Sequence, residues 1–350
     1  MNAPESKIPR LTSLSHGGGC GCKIAPAVLE QIIAKNSAGI LPKELLVGIE
    51  TSDDAAVYRI NDTQAIVATT DFFMPIVDDP FDFGAIAATN AISDVYAMGG
   101  TPLFALALVG MPINTLPLET IRRILEGGES VCARAGIPVA GGHSIDAVEP
   151  IYGLVAIGLV DPKNLKRNAD ARPGDVLVLG KPLGVGIYSA ALKKDKLDAA
   201  GYKAMVDSAT RLNTPGPRLA RIDGVHALTD VTGFGLLGHL LEVCKGSKVA
   251  ATIRWAQVPL LPGAAELARA GIKTGASGRN WAGYGNFVDL GRYGDVEHAL
   301  LTDPQTSGGL LVACAPSAVD RVLDLFREED FAGAAVIGEV IAGAPAVRVV

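Results

Sequence analysis

The sequence predicts a mixed α/β protein built from two domains. Short apolar runs typical of strands alternate with longer amphipathic segments typical of helices in both halves of the chain. The chain has 350 residues, 49% hydrophobic and 19% charged, which is enough for two separate cores. A polar, basic stretch at 161–175, with a Pro173-Gly174 turn, separates the halves. We expect an arm at 1–40, one domain at 41–165 and another at 170–350.

Composition and charge exclude several classes of protein. The net charge of −6, without a run of lysine and arginine, argues against a nucleic-acid-binding surface. The longest apolar runs, Leu103–Met111 and Ile151–Val160, are about half the length of a membrane-spanning helix and indicate buried strands. Residues 1–10 contain no apolar leader, and five scattered cysteines are typical of reduced thiols. We therefore expect a cytoplasmic protein without a membrane or nucleic-acid partner.

The first domain begins with strand patterns interrupted by acidic residues. Apolar runs on both sides of residues 50–54 predict a strand, an acidic turn and a second strand within Leu45–Tyr58. Ala65–Thr70 predicts a further strand that ends just before Asp71. Both patterns place carboxylates at the ends of strands.

A helix pattern at Gly84–Met98 carries two polar side chains in an unusual setting. Asn90 and Asp94 are four residues apart, so they share one face with alanines and other small residues. Gly99-Gly100 ends the helix. The other elements expected in this half are a short helix at Ala27–Lys35, strands at Pro102–Val109, Val139–Ser144 and Tyr152–Leu159, and a helix at Leu118–Ala135.

The second half repeats the theme of an aspartate at a strand end. A strand ends at Asp230, and a glycine turn then leads into a helix at Leu236–Val243. A strand at Val176–Gly180 opens this half, and residues 303–309 (DPQTSGG) precede another strand at Leu310–Cys314.

A glycine-rich segment near the N-terminus carries a reactive pair of side chains. Four glycines within residues 17–22 predict a flexible loop rather than a helix or strand. Lys23 and a helix start just beyond it are expected to lower the thiol pKa of Cys20 and favour a thiolate nucleophile. The Cys20-Gly21-Cys22 spacing is too tight for a usual zinc pair. Cys22 is interpreted as an auxiliary thiol.

The remaining cysteines and histidines divide into packing and local roles. Cys132, Cys244 and Cys314 lie in apolar helix or strand patterns and are expected to pack only. His16 adjoins the glycine loop, and a local role for it stays open. His226, His239 and His298 are interpreted as structural or surface groups.

Five aspartates could form a site for metal ions and phosphates. Magnesium prefers carboxylate oxygens and phosphates, and several carboxylates in one cleft could hold ions against a nucleoside triphosphate. Each aspartate alone could instead be an ordinary cap or turn residue, except that Asp94 lies in mid-helix. The five residues are Asp53, Asp54, Asp71, Asp94 and Asp230.

A second phosphate-binding element is suggested by the segment AGGHS at 140–144. The segment offers backbone amides and a hydroxyl at a strand end, and the exposed N–H groups of such a glycine turn could cradle phosphate oxygens, although a Gly-Gly turn is more often only a turn. No Walker A or kinase glycine loop is present in the sequence.

Taken together, these segments resemble the selenophosphate synthetase (selenide, water dikinase) family. The similar blocks occur in the family's order and cover nearly the whole chain. They are HGGGCGCK, TSDDAAVY, TTDFFMP, NAISDVYAMGG, AGGHSID, LTDVTGFGLLGH and DPQTSGG. The resemblance implies a two-domain fold like that of aminoimidazole ribonucleotide synthetase. It also implies a homodimer that converts selenide, ATP and water to selenophosphate, AMP and orthophosphate.

The resemblance also implies roles for individual residues. Cys20 and Lys23 are the implied catalytic pair, and Asp54, Asp94 and Asp230 are the implied Mg²⁺ ligands. The implied nucleotide contacts are Lys23, Thr51, Ser52, Asp53, Asp71, Asp94, Gly142, His143 and Ser144. A selenium-delivery protein would be a further partner.

Two alternative functions stay open at this stage. The chain could be another ATP-dependent synthetase or kinase of the same superfamily, but such enzymes do not call for a Cys-Gly-Cys-Lys loop. It could also be a non-catalytic thiol-based selenium carrier, which would not need the five aspartates.

Overall fold

The structure is a computed structural model that describes residues 9–24, 28, 32, 42–48 and 53–350. Most of the helix expected at Ala27–Lys35 lies outside the described residues, as do Thr51 and Ser52. Two sheets with helices packed against them confirm the mixed α/β class.

The first sheet has the strand order β1-β2-β3-β6-β4-β5. Only the β4–β5 pair is parallel among the described strand pairs of this sheet, and helix α2 makes the crossover between them. The strands are β1 (Leu45–Val47), β2 (Ala56–Arg59), β3 (Ala65–Phe73), β4 (Thr101–Met111), β5 (Val139–Asp146) and β6 (Ile151–Val160). The helices are α1 (Pro80–Ala97) and α2 (Leu118–Arg134).

Helix α1 is the central element of the first domain. Asp79 caps its N-terminus by accepting a 2.9 Å hydrogen bond from the Asp82 N–H, and Pro80 takes the first helical position. Nearly every side chain from Phe83 onwards is buried, as expected for a helix covered on all sides. Gly84 contacts the backbone of α2 so closely that a Cβ atom there would clash with the Ile124 carbonyl. This close packing fixes the face of α1 that carries Asn90 and Asp94.

The second sheet has the strand order β10-β13-β9-β12-β7-β11-β8. Its strands are β7 (Val176–Leu179), β8 (Val225–Asp230), β9 (Ala250–Ile253), β10 (Val288–Asp289), β11 (Leu310–Cys314), β12 (Ala335–Ile341) and β13 (Ala346–Val349). Its helices are α3 (Val185–Lys193), α4 (Ala199–Ala209), α5 (Gly216–Leu219), α6 (Gly235–Ser247), α7 (Ala264–Arg269), α8 (Gly275–Tyr284), α9 (Asp295–Leu301) and α10 (Val319–Glu328). Strand β8 contacts α1, so the end of β8 at Asp230 lies beside the polar face of that helix.

Two local expectations were wrong. Strand β3 continues to Phe73, so Asp71 lies within the strand instead of after it, because the pairing with β6 extends through Phe73 and Tyr152. The strand expected at Val139–Ser144 is confirmed as part of β5, but the glycine turn expected within it was wrong, since Gly142, His143 and Ser144 each pair with a residue of β4.

Candidate active site

Four aspartates lie together between the two sheets, and we call them the carboxylate cluster. Asp71 comes from β3, Asp94 from α1, Asp230 from the end of β8, and Asp54 from the turn before β2. The first three are buried. Aspartate is rarely buried without a partner, so this grouping marks a functional site more strongly than any of the four residues alone.

A hydroxyl group orients each of the three predicted metal ligands. Thr69 Oγ1 donates a hydrogen bond of 2.5 Å to Asp94 Oδ2, and Thr229 Oγ1 donates one of 2.9 Å to Asp54 Oδ1. Ser93 donates to Asp230 Oδ2. The sequence interpretation missed these three residues. The sequence offered one sign of the two threonines: Thr69 lies two residues before Asp71, and Thr229 lies directly before Asp230.

The electrostatics of the cluster favour a bound cation. Burial, together with the charges of neighbouring aspartates, raises the pKa values of Asp54 and Asp94 well above their usual range. Burial also raises the pKa of Asp230. Asp54 Oδ2 is buried and has no hydrogen-bond partner among the described residues, which leaves it available to a ligand. These properties fit Mg²⁺.

The cluster does not form a complete metal cage by itself. Within the described ranges, no three His, Cys, Asp or Glu side chains converge as ligands of one metal ion. Magnesium is usually held by one or two carboxylates together with waters and substrate phosphates, so this arrangement suits an ion that arrives with a nucleotide.

Residues 16–23, which we call the thiol loop, lie directly on this cluster. The backbone of Gly19–Cys22 forms a short 3-10 turn inside the predicted loop, and Cys20 is only 1% exposed. Cys20 Sγ donates to Asn90 Oδ1 at 3.1 Å, and the Cys20 N–H donates to Thr306 Oγ1 at 3.2 Å. The flexibility of the loop stays a prediction.

Asn90 connects the thiol loop to the carboxylate cluster. Its Nδ2 donates to Asp71 Oδ2 at 2.6 Å, while its Oδ1 accepts the Ser307 N–H at 2.7 Å as well as the Cys20 thiol. The helix pattern made Asn90 conspicuous beside Asp94, but the sequence interpretation gave it no role. Its three partners are distant in the sequence, so only the fold reveals this function.

Lys23 supplies the positive charge of the site. Its Nζ lies 3.2 Å from Asp71 Oδ2, in an ion pair whose carboxylate is almost fully buried. The Lys23 side chain is 39% exposed. Its partial burial works against the charged ammonium, but the charges of Asp71 and Asp94 outweigh this and raise the pKa of Lys23 well above its usual value.

The expectation of a Cys20 thiolate was wrong for this arrangement. Burial and the nearby Asp71 carboxylate raise the pKa of Cys20 well above its usual value, and the opposing effect of Lys23 is smaller. Cys20 is therefore a protonated hydrogen-bond donor here. Cys132, Cys244 and Cys314 are buried within the hydrophobic cores, which confirms their packing role.

Asp53 and His16 make their described contacts with residues outside the carboxylate cluster. Asp53 Oδ1 accepts the Asn168 N–H at 2.6 Å, near the start of the second domain. His16 Nδ1 pairs with the Glu149 carboxylate at 2.9 Å on the surface. Thr51 and Ser52 lie outside the described residues.

Gly142 is separated from Asp71 by the width of three strand pairs. Asp71 pairs with Leu154, Leu154 with Ala107, and Ala107 with Gly142, so the two residues share one row across the sheet. Three strand spacings amount to about 14 Å. His143 and Ser144 are exposed on the same strand, and the structure does not bring this segment to the carboxylates of its own chain.

The arrangement suits a cation that would hold phosphates, with a thiol and an ammonium beside it. The buried carboxylates suit cation-assisted phosphoryl transfer, which depends on positioning and on neutralising charge. No helix in the described part of the chain is long and apolar enough to cross a membrane.

Comparisons with known proteins agree with this fold. Residues 52–160 match the N-terminal domain of AIR synthase related protein, and residues 172–350 match its C-terminal domain. Among solved structures, thiamine-monophosphate kinase from Stenotrophomonas maltophilia K279a has a TM-score of 0.65 over 92% of this chain and 95% of that one. Its sequence identity is 22%, so this likeness concerns the fold. Hydrogenase maturation protein HypE has a TM-score of 0.61 at 19% identity, over 85% of this chain and 87% of its own.

Much closer relatives share the full length of the sequence. A selenide, water dikinase of Dechloromonas aromatica (strain RCB) is 68% identical over 99% of this chain and 100% of its own length. The selenide, water dikinase of Rhizobium meliloti (strain 1021) is 57% identical over 98% of both chains. The chain therefore belongs to the selenide, water dikinase family within the AIR synthase related proteins.

Proposed function

We propose that this chain is an ATP-dependent phosphotransferase that makes selenophosphate from selenide, ATP and water and releases AMP and orthophosphate. The observation that carries the proposal is the seating of Cys20 and Lys23 on the carboxylate cluster, through Asn90 and Asp71. Full-length relatives named selenide, water dikinase support the choice of reaction.

The nucleotide phosphates would lie over the carboxylate cluster. Asp54, Asp94 and Asp230 would hold Mg²⁺, which would supply charge neutralisation for the transferred phosphoryl group. Thr69, Ser93 and Thr229 fix the orientation of these carboxylates. We retain Thr51, Ser52 and Asp53 as proposed contacts of the nucleotide.

Cys20 and Lys23 would act on the acceptor side of the reaction. The Lys23 ammonium, held by Asp71, can pair with selenide or with a phosphate oxygen. Because Cys20 is buried and protonated, it can donate a hydrogen bond to selenide or assist its delivery in competition with water. Closure of the thiol loop keeps bulk water away from this exchange.

A homodimer would use the open face of the first sheet. Phe73 faces α1 and packs near Phe83, whereas its neighbour Phe72 is exposed on the opposite face. Tyr58 and Ile145 are also large, exposed apolar residues. A face of this kind is typical of an interaction surface. Gly142, His143 and Ser144 would reach a nucleotide that spans the sheet or that is bound by the second chain.

We place the enzyme in the cytoplasm, with a selenium-delivery protein as a further partner. The decisive experiment is phosphorus NMR of ATP with and without selenide. We expect AMP, orthophosphate and a signal from phosphorus bonded to selenium, all dependent on selenide. ADP as the final product would favour another kinase of the superfamily, and no consumption of ATP would favour the non-catalytic carrier.

A further inference from the structure

A buried threonine of the second domain contacts the thiol loop at Cys20. Thr306 lies in the segment 303–309 between α9 and β11, is 3% exposed, and accepts the Cys20 N–H at 3.2 Å. Asn90, from the first domain, accepts the Cys20 thiol. The N–H and the thiol of Cys20 are therefore bound by different domains.

Gly19 is shaped to fit against this threonine. Its φ of +54° is in the left-handed region that favours glycine. A Cβ atom at Gly19 would clash with Thr306 Oγ1 and would lie only 2.5 Å from Ile76 Cγ2. The contrast is Gly21, where a Cβ atom would make ordinary 3.5 Å contacts with Ala276 and Pro304. Glycine is thus required at position 19 by the backbone conformation and by the contacts with Thr306 and Ile76, whereas it is not required at position 21.

The segment that carries Thr306 is held rigidly from several sides. The Gln305 N–H donates to the Thr232 carbonyl at 2.9 Å, and Gln305 Oε1 accepts the N–H groups at the start of α3 at 3.0 and 3.2 Å. Lys181 Nζ donates to the Ser307 carbonyl at 2.8 Å, and Asn213 Nδ2 donates to the Gly308 carbonyl at 2.9 Å. These buried bonds make Thr306 a fixed point against which a loop can close.

We propose that Thr306 is a positioning residue for the Cys20 thiol: together with Gly19 it seats the thiol loop against the second domain and thereby favours selenide over water as the phosphoryl acceptor. The choice of acceptors rests on the proposed function. The contact of the thiol loop with Thr306 is independent of the proposed function, because it can be measured without selenium.

The first test measures how well Cys20 is protected from alkylation. Iodoacetamide labelling of the full-length protein, followed by mass spectrometry of the loop peptide, reports the modification of Cys20 separately from that of Cys22. Thr306→Val keeps the size of the side chain but leaves the Cys20 N–H without its acceptor. We expect Cys20 to be alkylated about tenfold faster. Thr306→Ser keeps the hydroxyl and should restore protection.

The glycine pair supplies a matched control. Gly19→Ala should expose Cys20 at least as much as Thr306→Val does, whereas Gly21→Ala should leave its alkylation rate within about twofold of the parent. Because a Cβ atom at Gly19 would also clash with Ile76, an unchanged rate in Thr306→Val would overturn the proposal even if Gly19→Ala raises the rate. So would a rise of equal size in Thr306→Ser or Gly21→Ala, since that would indicate general loosening. Thermal unfolding of each variant shows that the compared proteins are folded.

The second test measures acceptor choice on the same variants. With ATP and selenide, the ratio of selenophosphate to total ATP consumed should fall in Thr306→Val and recover in Thr306→Ser. If alkylation rises but this ratio is constant, the claim about acceptors is wrong. If the parent enzyme makes no selenophosphate at all, the proposed function fails while the alkylation result still decides the existence of the seat.

Discussion

The carboxylate cluster and the thiol loop adjoin each other but are built in different ways. The cluster is part of the scaffold: its aspartates lie on or beside β2, β3, α1 and β8, and neighbouring hydroxyl groups hold three of them. The thiol loop has little regular structure, and distant contacts hold it in place. Gly19 N–H binds the Met74 carbonyl at 2.8 Å, and Arg279 binds the Gly21 carbonyl at 2.8 Å.

This difference suggests a division of work between the two regions. A cluster built into the sheets can serve any reaction that needs phosphates and a cation in one position, and this fold occurs in a thiamine-monophosphate kinase as well. A loop seated by a few side chains can determine which acceptor enters without altering that machinery. Variants in the two regions should therefore differ in which products they lose.

The largest effect is expected within the carboxylate cluster. Asp94→Asn should lower both ATP consumption and selenophosphate formation by roughly 10²- to 10³-fold, because charge neutralisation over the phosphates is lost. The same change removes one of several mutually repelling buried carboxylates, so without metal it should raise the thermal midpoint by about 2–4 °C.

Both effects of Asp94→Asn are measured by phosphorus NMR and by thermal unfolding in a chelator. The exposed Asp62, in the turn after β2, gives a control in Asp62→Asn that should change neither. Full ATP consumption by Asp94→Asn would contradict the assignment of the cluster.

The thiol loop should show a more selective loss. Cys20→Ser should lower the rate of selenide-dependent selenophosphate formation by roughly a hundredfold, because the acceptor is no longer positioned or delivered by the thiol. Orthophosphate formed by attack of water should rise as a fraction of the products. Phosphorus NMR measures both, and Cys132→Ser on α2 is the control for loss of a thiol. Full selenide-dependent turnover by Cys20→Ser would rule out a direct role of this residue.

The sequence predicted which residues lie together at the site better than how their side chains are bound there. The aspartates, Cys20 and Lys23 were recognisable because carboxylates in strand-end patterns and a thiol in a glycine loop have few structural explanations. The pKa of Cys20 was predicted in the wrong direction, because Lys23 is its neighbour in sequence whereas the burying residues Asn90 and Thr306 are distant. Asn90 and Thr306 went unassigned for the same reason.

The AGGHS segment shows a different limit of sequence interpretation. A Gly-Gly pair is typical of a turn, but β5 accommodates Gly141 and Gly142 at φ values of +141° and +154° because it lies at the edge of its sheet. A pattern within one segment does not reveal which neighbour a strand will have.

Asn90 offers a way to test whether the two regions are separable. Asn90→Ala removes the hydrogen-bond partner of Asp71 and the shared acceptor of Cys20 and Ser307. Leaving such buried groups unpaired should reduce both products by roughly ten- to a hundredfold. In phosphorus NMR, the ratio of selenophosphate to ATP consumed should lie between the ratios for Asp94→Asn and Cys20→Ser. A loss confined to selenophosphate would assign Asn90 to the thiol loop alone.

The smallest expected effect concerns the stability of the segment that supports the loop. Burial raises the pKa of Asp303 to about 7, although backbone N–H groups of α3 and the Gln305 side chain favour its charged form. The unfolded chain has the lower, ordinary pKa, so the native state holds one more proton between about pH 4 and pH 7. The free energy of unfolding should therefore fall as pH rises through this window, by at most about 1.4 kcal/mol per pH unit.

Asp303→Asn should remove this slope, because an amide does not titrate. Urea unfolding at pH 5, 6 and 7 gives the difference between the parent and the variant at each pH, and Asp62→Asn again serves as the control. The free energy of unfolding of the variant should increase relative to that of the parent as pH rises. A constant difference across this range would show that Asp303 is charged throughout. In that case the charged Asp303 carboxylate would cap α3 and stabilise the segment that carries Thr306. The contact of the thiol loop with Thr306 would then be equally stable from pH 5 to pH 7.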